Sequence, residues 1–247
     1  MTAELIVAGI AIALLASTCQ SVTGFGFAPV MTPLLALAWD VKLAVATSMV
    51  LGTVNLVLLL FEVRGQVSMA RVLWLLAGFI AGVPVGVILL ERLDADTLKV
   101  MVATTVIVAS TLFYVSPGIS GGEDTRSGRL IAGALSGSIG SSTSLSAPPI
   151  VLYLVGRGLD MASFRATTLV FFLPSNIVII LALAFVGRIT GDVLLLSAAA
   201  LPALALGVAA GAWLRRHVQP ERFRVLVLAI LFITSLAVLA SVAGTFG

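Results

Sequence analysis

The chain has 247 residues, 60% of them hydrophobic and 10% charged, with a formal net charge of +3. A soluble globular domain carries about a quarter charged residues. A water-soluble enzyme and a nucleic-acid-binding domain are therefore excluded, since the fourteen Lys and Arg are scattered singly, at the ends of apolar runs or between them.

Apolar runs of roughly 18–22 residues, the length that spans a bilayer, recur along the chain and predict an all-α polytopic membrane protein. The N-terminal stretch lacks a positive leader and carries Glu4, so it is expected to be a retained membrane segment and not a signal peptide. The first segment, 5–38, is interrupted over 20–28 by a polar and glycine-containing stretch that includes Gln20, Ser21, Thr23, Gly24 and Gly26. The second, 43–61, holds one amide, Asn55; the third, 72–90, has a small-residue ladder at Gly78, Gly82 and Gly86 and a kink expected at Pro84. The fourth, 98–115, is followed by the longest polar loop, 116–129.

The fifth segment is the unusual one. Between apolar runs it crowds Ser138, Gly140, Ser141, Ser142, Thr143, Ser144 and Ser146 together and closes on Pro148 and Pro149. In lipid each unpaired backbone group costs several kcal/mol, so irregular backbone is tolerated only where it is buried in protein or lines a cavity. A break over 138–147 is expected, between two half-helices of ten residues, each about 15 Å long. Segments 166–186, with Asn176, then 193–214 and 223–242 complete the chain.

These eight segments read as two homologous repeats of four, 1–115 and 130–247, joined by the loop 116–129, with the first segment of each repeat broken mid-membrane. Residues 24–33 match 140–149 at a shift of 116, Asn55 matches Asn176 at 121, and Gly82 and Gly86 match Gly207 and Gly211 at 125. Such duplication is a recurrent transporter architecture with its site near the midplane. If each broken segment is a hairpin that dips in and returns, the repeats are inverted; if each crosses, they are parallel. Positive residues divide ten against four in the hairpin arrangement and nine against five in the crossing one. The inverted arrangement is therefore the expectation, and both arrangements put the 215–224 loop in the cytoplasm and both termini outside.

Small residues at the breaks let backbone N–H groups approach a ligand, and a half-helix starting near Pro148 turns its positive end to the break, which favours an anion. No Asp, Glu, Lys or Arg lies in the middle of a segment, which argues against a carboxylate proton relay and against cation transport. An anion leaving a negative interior is already driven, by ~2.3 kcal/mol per charge per 100 mV. The candidate ligand-holding residues are Gln20, Ser21, Thr23, Gly24, Gly26, Asn55, Ser138, Gly140, Ser141, Ser142, Thr143, Ser144 and Asn176. The plainer reading of the Ser and Gly residues is close helix packing, and of the two Asn residues interhelical hydrogen bonding. The single cysteine, Cys19, rules out an internal disulfide, no Cys/His spacing suggests zinc, and no cofactor is expected.

TGFGF followed by Pro33, then PPIVLYL, then FRATTLVFFLPSN together resemble the TauE/SafE family, also called the toluene sulfonate uptake permease group. The resemblance covers essentially the whole chain. It implies transport of sulfite, sulfonates or related organosulfur anions across a bacterial inner membrane. It puts the family's glycine-rich motif on Gly24 and Gly26 and its double-proline motif on Ala147, Pro148 and Pro149. The expected partners are a small anion and the lipid bilayer; the sequence leaves the choice between monomer and homodimer open. An intramembrane serine protease would need a base near its serine, and the one histidine, His217, lies in a loop. A non-transporting assembly factor for another membrane complex is the remaining alternative, and it would leave the break without a ligand.

Overall fold

The computed structural model describes residues 3–23, 26–60, 66–115, 123–157, 159–217 and 232–242. Their regular structure is helical throughout: α1 (Ala3–Thr23), α2 (Phe27–Ala38), α3 (Val41–Leu60), α4 (Met69–Arg92), α5 (Ala95–Val115), α6 (Arg126–Thr143), α7 (Ala147–Val155), α8 (Met161–Phe185), α9 (Gly191–His217) and α10 (Phe232–Val242). Among the described residues α1, α3, α4, α8 and α9 are long and apolar enough to cross a membrane. This is the make-up of a polytopic membrane protein, as the composition requires.

The breaks are narrower than the sequence suggests. The run from Ser138 to Thr143 is helical, and the chain unwinds only over Ser144–Ser146. Hydroxyls in an apolar helix can bond to carbonyls three or four residues back, so polar side chains need no break in the backbone. α6 is 18 residues long and starts at Arg126, where the Thr125 hydroxyl caps it by accepting the Gly128 N–H at 3.1 Å. α7 has only nine residues, so the two arms are unequal and not matched ten-residue halves. Likewise α1 continues through Thr23, making Gln20 and Ser21 helical, and α2 starts at Phe27 after Gly26 in the left-handed region at φ 114°.

Both short helices fold back along the long helix before them. Tyr153 on α7 donates to the Asp124 carboxylate ahead of α6, and a Cβ on Gly128 would lie 3.1 Å from the Tyr153 ring. A collinear α7 would carry Tyr153 more than ~30 Å from that point at 1.5 Å per residue. In the same way a Cβ on Gly9 of α1 would come 2.9 Å from the indole of Trp39, which ends α2.

Glycines let the long helices touch backbone to backbone. A Cβ on Gly78, Gly82 or Gly86 of α4 would collide with the carbonyl oxygens of Leu130, Ala134 and Ser138 on α6; Gly133 and Gly137 of α6 meet the backbone of Leu75 and Phe79 in return. Gly207 and Gly211 of α9 sit against Ser17 and Ser21 of α1. Hydroxyls join both seams: Ser141 donates to the Val83 carbonyl at 3.0 Å, and Ser21 to the Val208 carbonyl at 3.1 Å. Where small residues bring backbones this close, van der Waals packing and such bonds drive association in lipid.

Charge gathers at the two ends of α4, about 36 Å apart for 24 residues. At one end Arg188 makes a bidentate ion pair with Glu91 at 2.6 and 2.7 Å, and Lys42 donates to the Glu91 carbonyl. At the other, Asp124 accepts from Arg129 at 2.9 Å, from Arg71 at 3.0 Å and from Tyr153. These donors, Arg129 foremost, hold the Asp124 carboxyl well below the usual carboxylate range.

Candidate functional site

The turns of the two hairpins line one cavity of about 50 Å³. Gly26 to Pro29 come from the first and Ser144 to Ala147 from the second; Gln20 of α1, Ser48 and Gly52 of α3, and Phe172 and Asn176 of α8 close the sides. At roughly 10–15 Å³ per water centre, the space holds about three to five waters or one compact oxyanion.

The polar groups around it are neutral, and their wiring leaves donors over. Ser17 donates to Asn55 Oδ1 at 2.7 Å and Asn55 Nδ2 donates to Gln20 Oε1 at 2.7 Å. Gln20 thus has its oxygen fixed and its Nε2 amide without a partner among the described residues, at the cavity wall. Asn176 is 7% exposed and has no side-chain bond there at all, while Gly52 leaves space beside it: a Cβ would stand 3.8 Å from Asn176 Nδ2. Thr32 donates to Ser48 at 2.9 Å and pairs with Ser144, so the Ser48 proton is not needed for that chain. Ser144 holds φ 65° as the C-cap of α6, its N–H bonded to the Gly140 carbonyl at 2.8 Å. A non-glycine residue there stores local strain of order 1 kcal/mol, which its bond to Thr32 offsets.

α2 and α7 both begin at this cavity. The positive ends of two helices therefore converge on a space with no fixed charge in its wall, an arrangement that favours an anion without binding it irreversibly. Pro148 and Pro149 lack N–H groups, which leaves Ser146 and Ala147 as the donors at the start of α7; neither N–H has an acceptor among the described residues.

A family model described as sulfite exporter TauE/SafE matches residues 9–238. The chain belongs to the TauE/SafE family. It is thereby placed among multi-pass membrane transporters and not among enzymes. No curated protein and no solved structure matches it.

Of the residues on which the resemblance would place the family's motifs, Gly26 and Ala147 lie in the cavity wall, and Pro148 and Pro149 open α7 behind it. Gly24 falls outside the described residues, as does the side chain of Thr23. Of the other expected residues, Gln20, Ser144 and Asn176 line the cavity, and Asn55 stands one bond behind it. Ser21, Ser138, Ser141, Ser142 and Thr143 are not in its wall. Ser138 donates to the Gly82 carbonyl at 3.1 Å, Ser142 to Ser138 and Thr143 to Ile139, each on a backbone oxygen. Gly140 packs on the turn itself, where a Cβ would lie 2.7 Å from Ser146 Cβ. Replacement of Ser142 by Ala or of Thr143 by Val is accordingly expected to leave transport KM within about twofold, since backbone-engaged hydroxyls offer the ligand nothing. A several-fold rise in KM for either variant in a transport assay would return those hydroxyls to the site.

Sequence reasoning passed over Thr32, Ser48, Gly52 and Phe172. Thr47-Ser48 was a legible signal, a hydroxyl pair inside a segment credited with Asn55 alone.

Proposed function

We propose that this TauE/SafE protein is a secondary transporter that exports a small oxyanion, sulfite or a close relative of its size, across a bacterial inner membrane. The observation that carries the reading is the cavity between the two hairpin turns, walled by neutral groups, with Gln20 Nε2 and the Asn176 amide without partners among the described residues and two helix starts facing it. Its volume suits sulfite or sulfate better than an aromatic sulfonate. Neutral donors stabilise an anion by about 1.5–3 kcal/mol per bond, enough to select it and still release it. Outward movement of the charge is assisted by the membrane potential.

Alternating access follows from two inverted repeats, 1–115 and 130–247. Paired contacts support that reading: Ser21 bonds to the Val208 carbonyl as Ser141 does to that of Val83. The serines are 120 positions apart and the valines 125, within the 116–125 range of the sequence matches. The fold-back of α7 onto Asp124 and the meeting of Glu91 with Arg188 fit the hairpin arrangement; a crossing arrangement would put each of those pairs on opposite faces. Ten of the fourteen positive residues then share the face of Asp124, which is the cytoplasmic one by the positive-inside rule, and both termini are periplasmic. A C-terminal phosphatase fusion, active only in the periplasm, is expected to be active; activity of a cytoplasm-only reporter at that position would reverse the sides.

A thermal-shift screen of the purified protein tests the ligand. Sulfite, sulfate and thiosulfate are expected to raise the melting temperature, and toluene sulfonate is not. No shift beyond that of chloride at equal ionic strength would remove the anion from the account.

A further inference from the structure

Positive charge accumulates at the open end of the α6–α7 hairpin, away from the cavity. Arg71, Arg126, Arg129 and Arg157 gather around Asp124, and that carboxylate is saturated by Arg71, Arg129 and Tyr153. The other carboxylates nearby in sequence are Glu123, exposed beside Asp124, and Asp160, which caps α8 by accepting the Ala162 and Ser163 N–H groups at 3.0 Å. Arg126 and Arg157 are instead held by aromatic faces, Arg126 at 5.5 Å from the centroid of Trp74 and Arg157 at 4.3 Å from that of Tyr153.

A guanidinium stacked on a ring engages its face and keeps its edge N–H groups for an oxyanion. For Arg157 one of those groups, Nε–H, is buried and has no acceptor among the described residues. A buried donor without an acceptor is costly unless a ligand supplies one. The Tyr153 hydroxyl is tied to Asp124, which fixes the platform on which Arg157 lies.

We propose that Arg157, on the Tyr153 ring and flanked by the Asp124 arginine cluster, is the core of a second oxyanion site. It lies one α7 length, about 13 Å for nine residues, from the cavity. Its ligand is a tetrahedral or pyramidal oxyanion, either the free anion on its way to the cavity or the phosphate of an anionic lipid headgroup. Only the first of these identities rests on the proposed transport function. A fixed charge at a partly solvated mouth concentrates anions locally and binds them in a salt-dependent way, which a neutral cavity does not.

Calorimetric titration of sulfite into the protein in phosphatidylcholine nanodiscs separates the two sites. At low salt the parent is expected to show two phases, one of them lost on adding salt. Arg157→Gln and Arg157→Lys should each weaken the salt-sensitive phase by about tenfold, the lysine because it keeps the charge and loses the fork. Asn176→Leu should remove the other phase alone. In phosphatidylglycerol nanodiscs, disappearance of the salt-sensitive phase in the parent identifies the headgroup as occupant, and its persistence identifies the free anion. A parent without a salt-sensitive phase in phosphatidylcholine overturns the proposal. So do folded Arg157→Gln and Arg157→Lys proteins that titrate like the parent there. An unaltered titration in Asn176→Leu counts against the cavity alone.

Discussion

Asn176→Leu is expected to weaken anion binding by roughly tenfold to a hundredfold while leaving the protein folded. A hydrogen bond to a charged ligand contributes about 1.5–3 kcal/mol, and each 1.4 kcal/mol is a factor of ten. The Asn176 side chain has no partner among the described residues, so its removal orphans nothing in the empty protein. Gln20→Leu should cost at least as much, because it also leaves the Asn55 Nδ2 donor without its acceptor. The difference is measurable: Asn176→Leu changes affinity and not melting temperature, whereas Gln20→Leu lowers both. Equal affinities for the parent and Asn176→Leu would place the ligand elsewhere.

Gly82→Leu should abolish folding of the membrane domain, or destabilise it by about 3 kcal/mol or more. Its Cβ alone would meet the Ala134 carbonyl oxygen, and backbone cannot step aside as a rotamer can. The α4–α6 seam would have to open, taking with it the Ser138 and Ser141 bonds to the Gly82 and Val83 carbonyls. Gly191→Ala is the control, since nothing lies within 4 Å of a Cβ at that position and a change within about 0.5 kcal/mol is expected. Thermal unfolding of both variants in detergent checks the contrast. A Gly82→Leu protein that melts with the parent would show that the seam is not tightly closed in solution.

The same seam explains what the sequence could and could not disclose. Gly78, Gly82 and Gly86 at every fourth position announce a close helix contact, and they make one. The serines of α6 looked like a binding site because they are polar in a greasy setting. Seen in three dimensions, Ser138 and Ser141 are the other half of the glycine contact, reaching carbonyls that the missing side chains expose. Periodicity cannot distinguish a hydroxyl that faces a neighbouring backbone from one that faces a cavity, because both lie on a buried helix face. The turn itself was legible from Pro148 and Pro149, and the cavity does lie beside it. Thr32 was not legible as a site residue: it is a lone hydroxyl between two prolines, and only the tertiary fold joins it to Ser48 and Ser144. Asn55 and Asn176, expected from the sequence to be equivalent, differ for the same reason, one bonded to Gln20 and the other open to the cavity.

Efflux of sulfite from proteoliposomes under an imposed potassium diffusion potential tests the central claim most directly. Efflux should exceed that of protein-free liposomes, accelerate when the interior is negative, slow when the sign is reversed, and fall to background at low sulfite concentration in Asn176→Leu. Efflux equal to the protein-free background at either sign, or undiminished in Asn176→Leu, would contradict an anion path through the cavity between the two hairpin turns.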